Sequence, residues 1–206
     1  MKWKRKLLPM MLVSVFLLAG ALSGCSDGVI ELSPEEEAKW VKEQNELFED
    51  VWIPAFEAWT IDGRTVTSEE CFRDYQLTMI NIWGTFCGPC IDEMPELAKL
   101  YDDLPAGVNL ITICTDAGDS DKNLEFAQQV VKKSEGNFHT LIPDAVLKRA
   151  LTDRVTSFPT TIFVDSEGKI VGERYWGSQD AEGYRAEMVN RLQSIETEAY
   201  KKGQNP

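Results

Sequence analysis

Two cysteines three positions apart, Cys87 and Cys90, sit in the run Trp83-Gly84-Thr85-Phe86-Cys87-Gly88-Pro89-Cys90. Thiols at that spacing can close and open a disulfide, so thiol redox chemistry is the first expectation. A zinc site is the main alternative for a C-x-x-C, but structural zinc takes four ligands. The other cysteines, Cys25, Cys71 and Cys114, form no second pair at ligand spacing, so no metal is expected. A static structural disulfide fits less well, because the flanking aromatics suit a reactive site and a staple does not need them. Glu93 stands three residues after Cys90, a spacing that brings side chains to one face if the segment is helical. A carboxylate there could take or return the proton that Cys90 must lose before it attacks. The other reading of Glu93 is a solvated helix-surface residue.

The flanks say how these groups are held. Met79-Ile80-Asn81-Ile82-Trp83 is an apolar, β-prone run. From Ile91 to Leu104 apolar residues recur at Ile91, Met94, Leu97, Ala98, Leu100, Tyr101 and Leu104, as on an amphipathic helix with Pro95 inside it. The pattern predicts a strand over 79–83 and a helix over 89–104, with the motif between them. Cys87 then lies at the helix N-terminus, where unpaired N–H groups and the macrodipole favour a thiolate. It is the expected nucleophile, and Cys90 the thiol that resolves the mixed disulfide. Further on, the pattern predicts a strand over 109–115, parallel to the first through a right-handed crossover, and a helix over 121–134. A helical stretch at 144–151 follows, then strands over 160–165 and 170–173 joined by the Ser166-Glu167-Gly168-Lys169 turn, and a last helix over 181–198. Ahead of these, Val51 to Thr60 and Arg64 to Thr67 read as a hairpin about Asp62-Gly63. The class is α/β, a central mixed sheet with helices on both faces.

Several motifs together resemble the thioredoxin superfamily, and more narrowly the membrane-tethered extracytoplasmic thiol-disulfide oxidoreductases of bacteria, the TlpA/ResA-like redoxins. The carriers are the run 83–90, Glu93-Met94-Pro95, Ser157-Phe158-Pro159-Thr160-Thr161 and Ile162-Phe163-Val164-Asp165-Ser166-Glu167-Gly168-Lys169, and the similarity covers residues 51 to 195. The resemblance implies a thioredoxin-like fold. It implies that Pro159 is cis and lies against the C-x-x-C, with Phe158, Pro159 and Trp83 meeting substrate and Gly88-Pro89 completing the motif. Cytoplasmic thioredoxins carry a buried aspartate six residues before the first cysteine. Here that position is Asn81, which cannot titrate, so the resemblance gives proton handling to Glu93. Cys71 and Cys114 have no assigned part: buried thiols, a second disulfide and a further redox role for Cys114 all stay open. His139, the lone histidine, has no acids or thiols beside it in sequence and is expected in a loop or strand, outside the chemistry.

The first residues bear on location. Lys2-Trp3-Lys4-Arg5-Lys6 is a basic segment, and Leu7 to Ala21 is apolar but shorter than the ~20 residues that span a bilayer. Leu22-Ser23-Gly24-Cys25 resembles the lipobox of bacterial lipoproteins. Residues 1–24 are thus expected to be a signal peptide, and Cys25 the lipidated first residue of the mature chain. Residues 25–50 would follow as a spacer, with a helix over 34–50 opened by the capping box Ser33-Pro34-Glu35-Glu36. The redox domain is expected over 51–198 and a polar tail over 199–206. Loss of the four basic residues of the leader takes the formal charge from −13 to −17, which disfavours nucleic acid and anionic membrane surfaces as partners. Attachment to the bacterial cell membrane, domain outward, would rest on lipid alone.

The sequence therefore reads as a lipid-anchored disulfide reductase acting on extracytoplasmic protein disulfides. A membrane thiol carrier is expected as electron donor, and no cofactor, since no G-x-G-x-x-G run appears. A disulfide-forming oxidant, a thiol peroxidase and a non-enzymatic tethering module are the rivals.

Overall fold

A computed structural model describes residues 33–204, so the leader, the lipobox and Cys25 lie outside the described residues. Helix α1 (Pro34–Glu46) opens on the expected capping box: Glu36 Oε2 accepts from Ser33 N–H at 2.9 Å, and Ser33 Oγ accepts from Glu36 N–H at 3.3 Å. It stops short of Asp50, and the turn that follows buries Phe48 on the sheet. Trp40 of α1 meets Trp176 edge to face with 5.5 Å between ring centroids.

Strands β1 (Glu57–Thr60) and β2 (Thr65–Thr67) form the hairpin, with Gly63 at φ +83° in its turn. Then come α2 (Ser68–Phe72), β3 (Leu77–Trp83), α3 (Gly88–Asp102), β4 (Val108–Cys114), α4 (Asp121–Lys133), β5 (His139–Ile142) and α5 (Ala145–Ala150). A 3-10 turn at Thr152–Arg154 leads to β6 (Thr160–Val164), β7 (Tyr175–Trp176) and α6 (Ala181–Gln204). The seven strands lie in the order β2-β1-β5-β4-β3-β6-β7, with β3, β4 and β5 parallel and the other pairings antiparallel.

Strand β3 is buried along its whole length, as a central strand covered on both faces must be. Leu77, Met79 and Trp83 point into one core with Met94 and Leu97 of α3, Ala127 and Val130 of α4, and Tyr184 and Met188 of α6. Ile80 and Ile82 point into the other, with Phe48, Cys71 and Phe72, and Leu147 of α5. Two right-handed crossovers running the same way along the sheet put α3 and α4 on one face, which explains this division.

Further elements differ from the sequence reading. Helix α2 was not expected, although Thr67 and Glu70 make a second capping box. Strand β5 was not expected either; it holds His139, in keeping with the loop-or-strand expectation for that residue. The strand expected over 170–173 is replaced. Val164 bridges Ile170 and Val171 N–H donates to Phe163 O at 2.8 Å, but Gly172, at φ +70°, then turns the chain aside. Pairing resumes at Tyr175 and Trp176. The gap is filled by Arg191 of α6, which donates to the carbonyls of Val171 and Glu173 over the Phe163 ring; a Cβ on Gly172 would lie 2.6 Å from its Nη1. The last helix also runs past Glu198 to Gln204, so most of the expected polar tail is helical.

Candidate active site

The site is built at the C-terminal end of β3. The register pairs Ile82 with Thr160, so Pro159 stands level with Trp83, and the structure has the Phe158–Pro159 bond cis. After Trp83 the chain turns over Gly84, whose missing Cβ would lie 2.5 Å from the Phe86 ring; no larger residue leaves that ring its place. Thr85 is held from the β4–α4 loop: its N–H donates to Asp116 Oδ1 at 2.9 Å and its hydroxyl to Asp116 Oδ2. Asn123 Nδ2 donates to the same Oδ2 at 3.2 Å.

Cys87 is the N-cap of α3, and its sulfur accepts the Cys90 N–H at 3.2 Å. An oxygen usually fills that role at a helix start. A sulfur there faces the unpaired amide dipoles that favour negative charge once the pair is reduced. Gly88 and Pro89 occupy the first helical positions, where proline's missing N–H costs nothing. The structure is in the disulfide form, with 5.3 Å between the Cys87 and Cys90 Cα atoms. Both cysteines are buried, Cys87 at 7% exposure and Cys90 at 1%, so Cys87 is the sulfur that a substrate reaches first.

Glu93 is not on a solvated face. It is 3% exposed, one turn behind Cys90, and points toward Asn81, the polar interruption on that face of β3. Asn81 Nδ2 donates to Glu93 Oε1 at 3.0 Å and to Thr161 Oγ1 at 3.1 Å. Tyr184 O–H donates to the same Oε1 at 2.6 Å and lies 3.1 Å from Thr161 Oγ1. Burial pushes the Glu93 carboxyl up to about 7, against the hydrogen bonds from Tyr184 and Asn81, which favour the charged form. A carboxyl with that affinity exchanges protons readily near neutral pH.

Trp83, expected to meet substrate, does not reach the surface. It is fully buried, with Nε1–H donating to Thr112 Oγ1 at 3.3 Å, because its side chain points into the core beneath α3. Beside the cysteines an exposed aromatic is Phe86, 66% exposed and 5.4 Å from the Phe158 ring in an edge-to-face pair. That contact joins the loop before Cys87 to the residue before Pro159. Phe86 was legible as part of the motif; Tyr184 and Asp116 were not, since each meets its partner only through the fold.

Cys71 and Cys114 are free and buried. Burial pushes Cys71 up to about 12 and raises the Cys114 thiol as well, with the Asp116 carboxylate 3.5 Å from its sulfur adding to the effect. Both are thus poor nucleophiles, and they form no second disulfide. Among the described residues no group of three or more His, Cys, Asp or Glu side chains could hold a metal ion.

Residues 51–172 match the model of the AhpC/TSA family. The chain belongs to that family. It is 29% identical over 136 residues to the thiol:disulfide interchange protein DsbE homolog of Paracoccus denitrificans, covering 65% of this chain and 69% of that one. It is 34% identical over 104 residues to the thiol-disulfide oxidoreductase ResA of Bacillus cereus, covering 50% of this chain and 56% of that one. A thioredoxin family thiol:disulfide interchange protein of Chlorobium tepidum superposes with a TM-score of 0.58 at 19% identity, over 70% of this chain and 97% of that chain. The last likeness is one of fold, and the fold of this AhpC/TSA member is thioredoxin-like.

Proposed function

We propose that the protein is a thiol-disulfide oxidoreductase that reduces protein disulfides on the outer face of a bacterial membrane, held there by lipid on Cys25. The observation that carries the chemistry is the Cys87–Cys90 pair capping α3 with a buried, proton-exchanging Glu93 behind it. The names of the DsbE and ResA relatives support the same chemistry. The lipobox-like Leu22-Ser23-Gly24-Cys25 after a signal-like segment supports the anchor.

In the proposed cycle the Cys87 thiolate attacks one sulfur of a substrate disulfide, forming a mixed disulfide and releasing the other sulfur as a thiolate that takes up a proton. Cys90 gives its proton to Glu93 and attacks the Cys87 sulfur. The Cys87–Cys90 bond forms as the bond to substrate breaks, and Glu93 can return the proton to the departing thiolate. The electron pair has moved from the dithiol to the substrate, and a donor thiol must restore it. Phe86 and Phe158 offer the substrate an apolar surface beside the sulfur. Cys90→Ser should accumulate mixed disulfides with substrate, and Cys87→Ser should accumulate none. The reverse pattern would overturn the assignment of nucleophile and resolver.

A further inference from the structure

Glu93 can work as a proton carrier only if one of its oxygens is free to carry the proton, and the hydrogen-bond ring around it decides which. Asn81 spends both of its Nδ2 protons, on Glu93 Oε1 and on Thr161 Oγ1. The Tyr184 hydroxyl has one proton, and it goes to Glu93 Oε1. The short contact between Thr161 and Tyr184 must then use the Thr161 proton, so Thr161 donates to Tyr184. Every proton in the ring is thereby directed, and Oε1 ends as the acceptor of two donors. Oε2 is buried and makes no hydrogen bond of its own among the described residues.

We infer that Tyr184 is a positioning residue for Glu93: by filling Oε1 together with Asn81 it fixes the carboxyl's orientation, so that the proton exchanged with Cys90 is carried on Oε2. This deepens the proposed function and rests on it for the role of Glu93 in resolution. Tyr184 comes from α6, far along the chain, and is fully buried. The helix start that brings it is itself pinned to α3, since Ala181 N–H donates to Glu96 Oε2 at 3.0 Å and the Ser178 hydroxyl to Pro89 O at 3.1 Å. The groups facing Glu93 are Asn81 of β3, Ser178 ahead of α6 and Tyr184, with Thr161 of β6 bonded to Asn81 and Tyr184 and Cys90 one turn earlier on α3. Tyr184 itself stays protonated, because burial and the Glu93 charge both raise its phenol.

The test is Tyr184→Phe, which removes one oxygen and keeps the ring. Infrared titration of the oxidised protein reads the Glu93 carboxyl directly. In the variant its midpoint should rise by about one pH unit, the worth of one lost hydrogen bond to a charge. The C=O stretch of the protonated form should also move to higher frequency, because Oε1 has lost a donor. In single-turnover resolution the pH–rate midpoint should rise by the same amount, and Tyr184→Phe should add nothing in a Glu93→Gln background. An unchanged infrared midpoint would overturn the inference, as would an equal effect with and without Glu93. If the infrared midpoint moves but Glu93→Gln leaves resolution untouched, the positioning stands and the proton-carrier role in the proposed function fails. Should Tyr184→Phe not fold, Thr161→Val removes the proton that orients the Tyr184 hydroxyl, and the same midpoint should rise by less; no rise would overturn the inference equally.

Discussion

A carboxyl at 3% exposure, with one oxygen making no hydrogen bond, weakens the fold whenever it is charged. In the folded chain Glu93 holds its proton up to about pH 7, whereas its ordinary value is 4.5. Between those values the folded state binds more protons than the unfolded one, so this group's contribution to stability falls as pH rises. Below 4.5 there is no penalty, and above about 7 it is complete, at about 3 kcal/mol. Glutamine can accept the same two hydrogen bonds without titrating. Glu93→Gln should therefore gain stability relative to the wild type between pH 5 and pH 8, by up to that amount, in denaturant unfolding of the oxidised proteins. A stability difference that stays flat across this range would mean that Glu93 is not a buried titrating group. The variant should also slow resolution by ~10²-fold, the lower end of what acid–base catalysis supplies.

At the scale of elements, the loop before Cys87 is shaped as much by the β4–α4 loop as by its own residues. Asp116 takes the Thr85 N–H and hydroxyl, and its removal leaves that amide without its partner. Asp116→Ala should destabilise the protein by about 1–3 kcal/mol and make the reduced Cys87 more accessible to alkylation. Unchanged stability and labelling would show that the loop holds itself. Contacts of this kind join residues too far apart in the chain to be legible in the sequence. The strand, the helix and the cysteines between them were legible because they are contiguous, and the Ser33 capping box because its signal spans four residues. The same signal stands at Thr67 and Glu70, where it opens α2. Strand β7 was misplaced because Gly172 diverts the chain and a side chain from α6 fills the gap, a tertiary event. The resemblance put Trp83 against substrate, but its face of β3 is covered by α3. Tyr184 and Asp116 were out of reach: the partners Glu93 and Thr85 are 91 and 31 residues away.

Across the whole molecule the charge is strongly acidic, and no Lys, Arg or His lies between Ile80 and Ala98 to stabilise a Cys87 thiolate beyond what the helix start supplies. Among the described residues no helix is long and apolar enough to cross a membrane. If lipid on Cys25 is the anchor, Cys25→Ala should leave the membrane fraction. A full-length Cys25→Ala protein that is stably inserted and active at the membrane would point to an uncleaved helix instead. Direction of electron flow is the claim on which the reductase reading depends, and an oxidant would share this fold and these cysteines. A strong oxidant owes its potential to extreme stabilisation of its reduced thiolate, whereas the Cys87 sulfur here meets the α3 start with no basic residue in the flanking sequence, within an acidic domain. Equilibration of the Cys87/Cys90 pair in glutathione and dithiothreitol redox buffers should give a reduction potential near that of thioredoxin, about −270 mV. A value near that of the strong periplasmic oxidants, about −120 mV, would make the protein a disulfide donor and contradict the reductase assignment.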